Sequence, residues 1–264
     1  MKTLVKGKKG LIMGITNEYS IGYGIAKILK ESGAEICLSS HPSEKVLTKI
    51  QRINETLQAD FIIPCDVSKE NDIENMINEV KEKWGTIDFI VHAIAFSDKE
   101  ELRGNFTDTS LSNFLNTMHI SCYSFIETAK HGSKILNPNS SLLTLSYFGA
   151  NKYINNYNIM GVAKSALETS VIYLAEELGK QSIRVNSISA GPIKTLAANG
   201  IADFNNILEW NEKNSALRKN ITQQDIAKSA LYLISDLSSG VTGENHFVDN
   251  GYNIIGMKLK DNTL

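Results

Sequence analysis

Gly10-Leu-Ile-Met-Gly14-Ile-Thr-Asn-Glu-Tyr-Ser20-Ile-Gly22-Tyr-Gly24-Ile-Ala-Lys-Ile-Leu-Lys-Glu31 decides how the chain is read. Gly10 to Gly14 is a short apolar run bounded by glycines, the pattern of a buried strand. Ile21, Ile25, Ile28 and Leu29 repeat with a helical period, and Gly33 follows as a C-terminal cap. Between strand and helix lies a loop in which Gly14 lets the backbone approach a ligand. A helix starting at such a loop turns its N–H groups and positive dipole end toward the strand end, which suits a pyrophosphate. The loop is longer than a G-x-G-x-x-G turn, and Thr16 stands where the second glycine would be. The plain alternative is a glycine-rich turn with no ligand. Its position after the first strand of an alternating chain favours the phosphate.

The alternation continues outward from there. Apolar runs at 35–39, 61–65, 87–91, 142–145, 183–188 and 246–248 read as strands. The periodicity predicts helices over 44–57, 70–84, 111–131, from Tyr157 to about 178, and over 224–237. Strands separated by helices imply a parallel sheet covered on both faces. The expected fold is therefore α/β: a single-domain, Rossmann-like doubly wound parallel sheet spanning 1–264. The segment at about 194–215 is expected to be a small substrate-binding lid, the alternative being a surface helix hairpin. No repeat or low-complexity tract interrupts the chain, and only 4 prolines occur.

Composition removes several function classes. The net charge is −2, with no basic stripe for nucleic acid. No apolar run approaches the roughly 18 residues of a membrane span. The 3 cysteines, Cys37, Cys65 and Cys122, are scattered without metal-ligand spacing, so no metal is expected. Free cysteines in strands suit a reducing compartment. No secretory signal is read before the first strand, and the expected location is the cytoplasm.

In a doubly wound sheet, ligands bind at the carboxyl ends of the strands. After the strand at 142–145 comes Ser-Tyr147-Phe-Gly-Ala-Asn-Lys-Tyr-Ile-Asn-Asn-Tyr157-Asn-Ile-Met-Gly-Val-Ala-Lys164. Tyr157 and Lys164 are two helical turns apart and share one face. An ammonium there lowers the cost of negative charge on the phenol, or anchors a ligand beside it. The phenol can then stabilise charge on a substrate oxygen. Spacing alone leaves open a half-exposed tyrosine and a solvated lysine. After the second strand, Ser39-Ser-His41-Pro42 offers no acid for a ribose diol and no Lys or Arg for a 2′-phosphate, which leans toward NADH over NADPH. His41 can meet the adenosine. Asp66 and Val67 can serve an adenine edge, or Asp66 can cap the next helix.

Taken together, these motifs resemble the short-chain dehydrogenase/reductase superfamily. Its usual Tyr-x3-Lys is absent, because Gly161 stands four residues after Tyr157. The chain is instead similar to the divergent branch of bacterial enoyl-[acyl-carrier-protein] reductases. Leu142–Ala150, Asn156–Lys164 and Arg184–Ala198 carry that resemblance, which runs from Gly14 to about Met257. It implies that Tyr157 hydrogen-bonds the thioester carbonyl, that Lys164 holds the nicotinamide ribose, and that Tyr147 is a second active-site tyrosine. It further implies cofactor contacts at Gly14, Ser20, Ile21, Asp66, Val67, Ile94, Ile193, Lys194, Thr195, Leu196 and Ala197, and a substrate-mouth position at Ser97. The resemblance makes an enoyl thioester on acyl-carrier protein the partner and a homotetramer the assembly. His41, Ala95 and Ser97 depart from what many relatives carry. Two other readings are a carbonyl reductase of the same superfamily, which would use Tyr-x3-Lys, and a catalytically silent nucleotide sensor, which would lack Tyr157 or Lys164.

Overall fold

Side-chain alternation along the strands of the computed structural model builds two cores. The structure describes residues 3–195, 201 and 203–257. Its strands are β1 (Lys9–Met13), β2 (Glu35–Ser40), β3 (Phe61–Pro64), β4 (Ile87–His92), β5 (Leu136–Ser146), β6 (Arg184–Ala190) and β7 (Asn245–Val248). All pair in parallel, in the order β3-β2-β1-β4-β5-β6-β7. The helices are α1 (Ile21–Glu31), α2 (Glu44–Leu57), α3 (Asp72–Trp84), α4 (Leu111–Met118), α5 (Ser124–Gly132), α6 (Asn158–Gly179), α7 (Phe204–Asn214) and α8 (Gln223–Ile234).

Successive strand residues face opposite sides of a sheet. Leu11 and Met13 of β1 enter one core with Phe125 of α5, Met76 of α3 and Leu167 of α6. Ile12 between them enters the other, with Ile25 of α1, Ile50 of α2 and Ile226 of α8. Both cores are dry and apolar, which is why the strands read as continuous hydrophobic runs. The three cysteines are free and buried. Burial raises all three thiols, that of Cys65 to about 12. Among the described residues no helix is long and apolar enough to cross a membrane.

Three boundaries differ from expectation, each for a local reason. The single helix expected over 111–131 is broken by a π-helical turn at His119–Tyr123. There Ser121 turns its hydroxyl to the Phe96 carbonyl and accepts from the Phe96 amide, both at 2.9 Å. Strand β5 starts at Leu136, well before Leu142, with a register shift against β4. Asn137-Pro138-Asn139 reads as a turn in sequence, and Asn139 does take φ +66°. Helix α3 begins at Asp72 after Asn71, so Asp66 is not its cap. Asp66 instead accepts from the Ser68 amide and hydroxyl, a local turn.

The carboxyl end of β4 carries a fully buried histidine. His92 Nε2 lies 2.8 Å from Ser124 Oγ and Nδ1 lies 3.2 Å from Thr144 Oγ1. Burial, and then the Lys164 charge, push this imidazole down to about 3. It folds neutral, whereas an unfolded histidine takes a proton near pH 6.5. Between those values the unfolded state binds more protons, so stability falls as pH falls. From pH 7 to pH 5, denaturant unfolding of the wild type should lose about 2 kcal/mol through this group. His92→Gln should remove that part of the slope.

Candidate active site

Strands β1, β2 and β4 converge at Gly14. Its amide donates to the Ser39 carbonyl at 3.0 Å, and the Ala93 amide donates to the Met13 carbonyl at 3.2 Å. Gly14 has φ +85°, and a Cβ there would lie 2.2 Å from the Ala93 carbonyl oxygen. Only glycine meets both demands. The loop then turns to Ser20, the N-cap of α1, whose hydroxyl accepts from the Tyr23 amide at 3.4 Å and donates to the Asn17 carbonyl at 2.7 Å. The first turn of α1 has no acidic residue to compete with a bound anion. Gln223, at the start of α8, donates its amide to the Glu18 and Ser20 carbonyls at 3.0 and 2.6 Å. Its role is invisible in sequence, because its targets are backbone carbonyls of a distant loop. A cavity of about 350 Å³ opens between Tyr19, Ile193, Lys194 and Thr222. A helix N-terminus above a strand junction that admits no side chain fits a dinucleotide pyrophosphate.

The tips of β2 and β3 lie side by side at the same edge of the sheet. His41 Nδ1 accepts from the Ser43 amide at 3.2 Å, and His41 Nε2 stands 3.6 Å from an Asp66 carboxylate oxygen. Burial opposes the Asp66 charge, but the Ser68 bonds, His41 and Lys69 outweigh it, and its carboxyl titrates below the usual range. His41 and Asp66 thus meet at the tips of their two strands. Val67 is buried in the core beside them, and Ile94 packs against that core from the loop after β4.

The tyrosines meet across the start of α6. Tyr157 occupies the position just before its first residue, with φ −105° and ψ −25°. The Tyr147 and Tyr157 rings pack edge to face with centroids 5.1 Å apart. Gly149 lies against them, and a Cβ there would fall 2.5 Å from Tyr157 Cδ1. A Cβ at Gly161 would fall 2.8 Å from the Gly149 carbonyl oxygen. That contact leaves no room for the lysine of a Tyr-x3-Lys arrangement. The ammonium comes from Lys164, one turn further on.

Lys164 is buried and donates to the Leu145 carbonyl at 2.7 Å, at the carboxyl end of β5. Burial lowers it to about 8, against the opposing influence of Cys122 and Glu168. Burial, then Tyr147 and Glu168, raise the Tyr157 phenol above its ordinary value. Burial and then Tyr252 raise Tyr147. Burial is the largest influence on the phenol here. Tyr157 therefore keeps its O–H at neutral pH and has a proton to donate to an acceptor oxygen.

Ser97 lies on the loop after β4, but its hydroxyl faces inward. It accepts from Thr117 Oγ1 at 2.9 Å and Asn113 Nδ2 at 3.2 Å. Sequence reasoning missed this network, although Asn113, Thr117 and Ser121 recur at helical spacing along one face. After β6, Ile193 packs on the core, and Lys194 and Thr195 follow. Leu196 and Ala197 lie outside the described residues, as do 198–200 and 202 of the expected lid. The rest of that segment contains α7, with Trp210 Nε1 donating to the Tyr252 hydroxyl at 3.0 Å. A third, small apolar cluster joins Leu102, Tyr157, Ile159 and Met160, with Tyr147, Ile154 and Ile201 against it.

A family model described as Enoyl-(Acyl carrier protein) reductase matches residues 14–253. A curated relative in Rhizobium meliloti (strain 1021), named enoyl-[acyl-carrier-protein] reductase [NADH] 1, is 52% identical over 98% of this chain and 94% of its own length. Another, from Rickettsia bellii (strain RML369-C) and named enoyl-[acyl-carrier-protein] reductase [NADH], is 50% identical over 96% of each. A solved enoyl-(acyl-carrier-protein) reductase from Anaplasma phagocytophilum, in complex with NAD, superposes with a TM-score of 0.94. It is 51% identical, and the match covers 98% of this chain and 99% of that one.

The loop geometry makes a direct prediction. A Cβ on Gly22 would already sit 3.2 Å from Ile15 Cγ1 and 3.4 Å from Ala93 Cβ. Gly22→Val adds two further carbons there and should weaken NADH binding by at least about tenfold, or about 1.4 kcal/mol, read by fluorescence titration. Unchanged affinity in the folded variant would place the pyrophosphate elsewhere.

Proposed function

This chain belongs to the enoyl-(acyl carrier protein) reductase family, and we propose that its site reduces trans-2-enoyl thioesters on acyl-carrier protein with NADH, in fatty-acid elongation. The observation that carries the reading is a buried Tyr157, set in a separate small apolar cluster, with a buried Lys164 two helical turns further along α6. NADH, when bound, supplies a hydride to the substrate β-carbon. A solvent proton taken up at the α-carbon completes the reduction, and the chain's own residues bind, orient and stabilise the growing charge. Tyr157 donates to the thioester carbonyl oxygen, where negative charge grows as the β-carbon is reduced. A fixed donor in a dry site binds that charge more tightly than it binds the neutral carbonyl. Lys164 holds the nicotinamide ribose hydroxyls by charge-assisted bonds. Tyr147 borders the same oxygen and packs on Tyr157.

Other residues bind and orient. Gly14, Ser20 and Ile21 receive the pyrophosphate, while His41, Asp66 and Val67 receive the adenosine. Ile94, Ile193, Lys194 and Thr195 border the nicotinamide. The Leu102–Met160 cluster takes the acyl chain, with Ile201 packed against it. Ser97 shapes the mouth from beneath, through Asn113 and Thr117. A homotetramer is supported by exposed apolar side chains on helices, among them Leu111 and Leu115 of α4 and Ile172 and Tyr173 of α6. Buried free cysteines support a reducing cytoplasm.

The test is oxidation of NADH with crotonyl and longer enoyl thioesters, with simple ketones and NADPH as controls. NADH should give the higher kcat/KM, since no Lys or Arg stands between Ser39 and Glu44. Tyr157→Phe should lower kcat up to ~10²-fold and leave NADH affinity nearly intact. Lys164→Ala should weaken NADH binding itself. Stopped-flow hydride transfer and NADH titration separate the two, and the reverse pattern would sink the assignment.

A pH series adds an independent check. Lys164 titrates at about 8 in the free enzyme. Binding the ribose favours its charged form, so NADH affinity should fall as pH rises through about 8. Lys164→Ala should lack that decline. A wild-type affinity flat from pH 7 to 9.5 would mean that the ammonium does not hold the cofactor.

A further inference from the structure

One carboxylate holds both ends of the segment that carries Tyr147. Glu168 is half-buried on α6, one turn beyond Lys164. Ser146 Oγ donates to Glu168 Oε1 at 2.5 Å, and Asn151 Nδ2 donates to Glu168 Oε2 at 2.8 Å. Between these two residues the backbone makes a short 3-10 turn, with the Ala150 amide on the Tyr147 carbonyl at 2.9 Å. Gly149, at its centre, rests against the Tyr157 ring. We propose that Glu168 is a positioning residue: it clamps the 146–151 turn to α6 and so sets where Tyr147 stands relative to Tyr157.

The physical case rests on what else holds Tyr147. Its ring meets Tyr157 edge to face, a contact on the order of 1 kcal/mol, and borders the Leu102–Met160 cluster, apolar packing that tolerates sliding. The turn itself is a few residues of 3-10 helix, a conformation with poor hydrogen-bond geometry. Both of its ends reach the one carboxylate by hydrogen bonds to an ionised acceptor, which are shorter and stronger than neutral ones. Because Glu168, Lys164 and Tyr157 belong to one rigid helix start, the clamp places Tyr147 in the same frame as the two groups it works with. The proposal rests on the assignment of Tyr147 to the substrate site.

Four variants of the full chain test it: Glu168→Ala, Glu168→Gln, Asn151→Ala and Tyr147→Phe. Each is measured for amide hydrogen exchange over 146–152, NADH affinity, and kcat and KM with a crotonyl thioester. Glu168→Ala should speed exchange at Ala150, Asn151 and Lys152 and lower kcat/KM by about tenfold, with NADH affinity within about twofold of wild type. Glu168→Gln keeps an acceptor for Ser146 and, with the Asn151 amide flipped, a donor for it, so it should restore both readouts. Asn151→Ala cuts only the exposed arm and should fall between them, which covers the case in which Glu168→Ala does not fold. Unchanged exchange in Glu168→Ala overturns the clamp. Glu168→Gln as damaging as Glu168→Ala, with weakened NADH binding, overturns it in favour of a charge acting on Lys164. If Tyr147→Phe slows the reaction while loosening the turn does not, the clamp alone is wrong. If Tyr147→Phe and the loosened turn are both silent, the Tyr147 assignment has failed and the clamp positions nothing catalytic.

Discussion

The contact between the Gly14 backbone and the Ala93 carbonyl governs the molecule. At that point the sheet changes direction. From β1 the chain steps outward to β2 and β3, and from β4 it steps the other way to β5, β6 and β7. The two sets of loops diverge and leave a crevice at the carboxyl ends. Any Cβ at residue 14 would push β1 and β4 apart where both feed their loops into that crevice. The nucleotide loop, the loop to Ser97 and the strand behind Lys164 all take their places from this junction.

The crevice is built by burying groups that prefer water. A lysine, a histidine and a tyrosine lie within a few strand ends of one another, each nearly inaccessible. Their burial decides their protonation more than their mutual charges do. The phenol is kept neutral and the imidazole is kept neutral, while the ammonium stays near its titration point. That is a site arranged to donate hydrogen bonds rather than to remove protons. It matches a reaction in which charge appears on an oxygen only transiently.

Much of this was legible residue by residue. The bounds of α1 and α2 follow their apolar period. The strands of the sheet centre are continuous apolar runs, because both faces are covered. The early start of β5 was hidden by Asn137-Pro138-Asn139, which carries turn chemistry inside a pairing strand. The π turn was hidden because its cause is tertiary: Ser121 answers the backbone of Phe96. Spacing could put Tyr157 and Lys164 on one face, but the catalytic division of labour between them came from resemblance to a family. The hydrogen bonds of Ser97 are not readable in sequence, since its partners Asn113 and Thr117 lie on a helix that follows it in the chain. Glu168 and Gln223 were overlooked because an acid and an amide on exposed-looking helix positions give no pattern until their partners are near.

Gln223 also bears on how the protein comes into being. The strands β2 to β6 lie between the loop it ties down and Gln223 in the chain, and the bond from Gln223 to the Ser20 carbonyl spans 203 residues. Helix α8, which packs along α1, leaves the ribosome after six of the seven strands. A nascent chain thus carries the glycine loop long before anything braces it. Bound cofactor cannot guide the folding of β1 to β6 through a fully braced loop, because Gln223 is made only after them. A chain cut short before Gln223 carries the glycine loop without that brace.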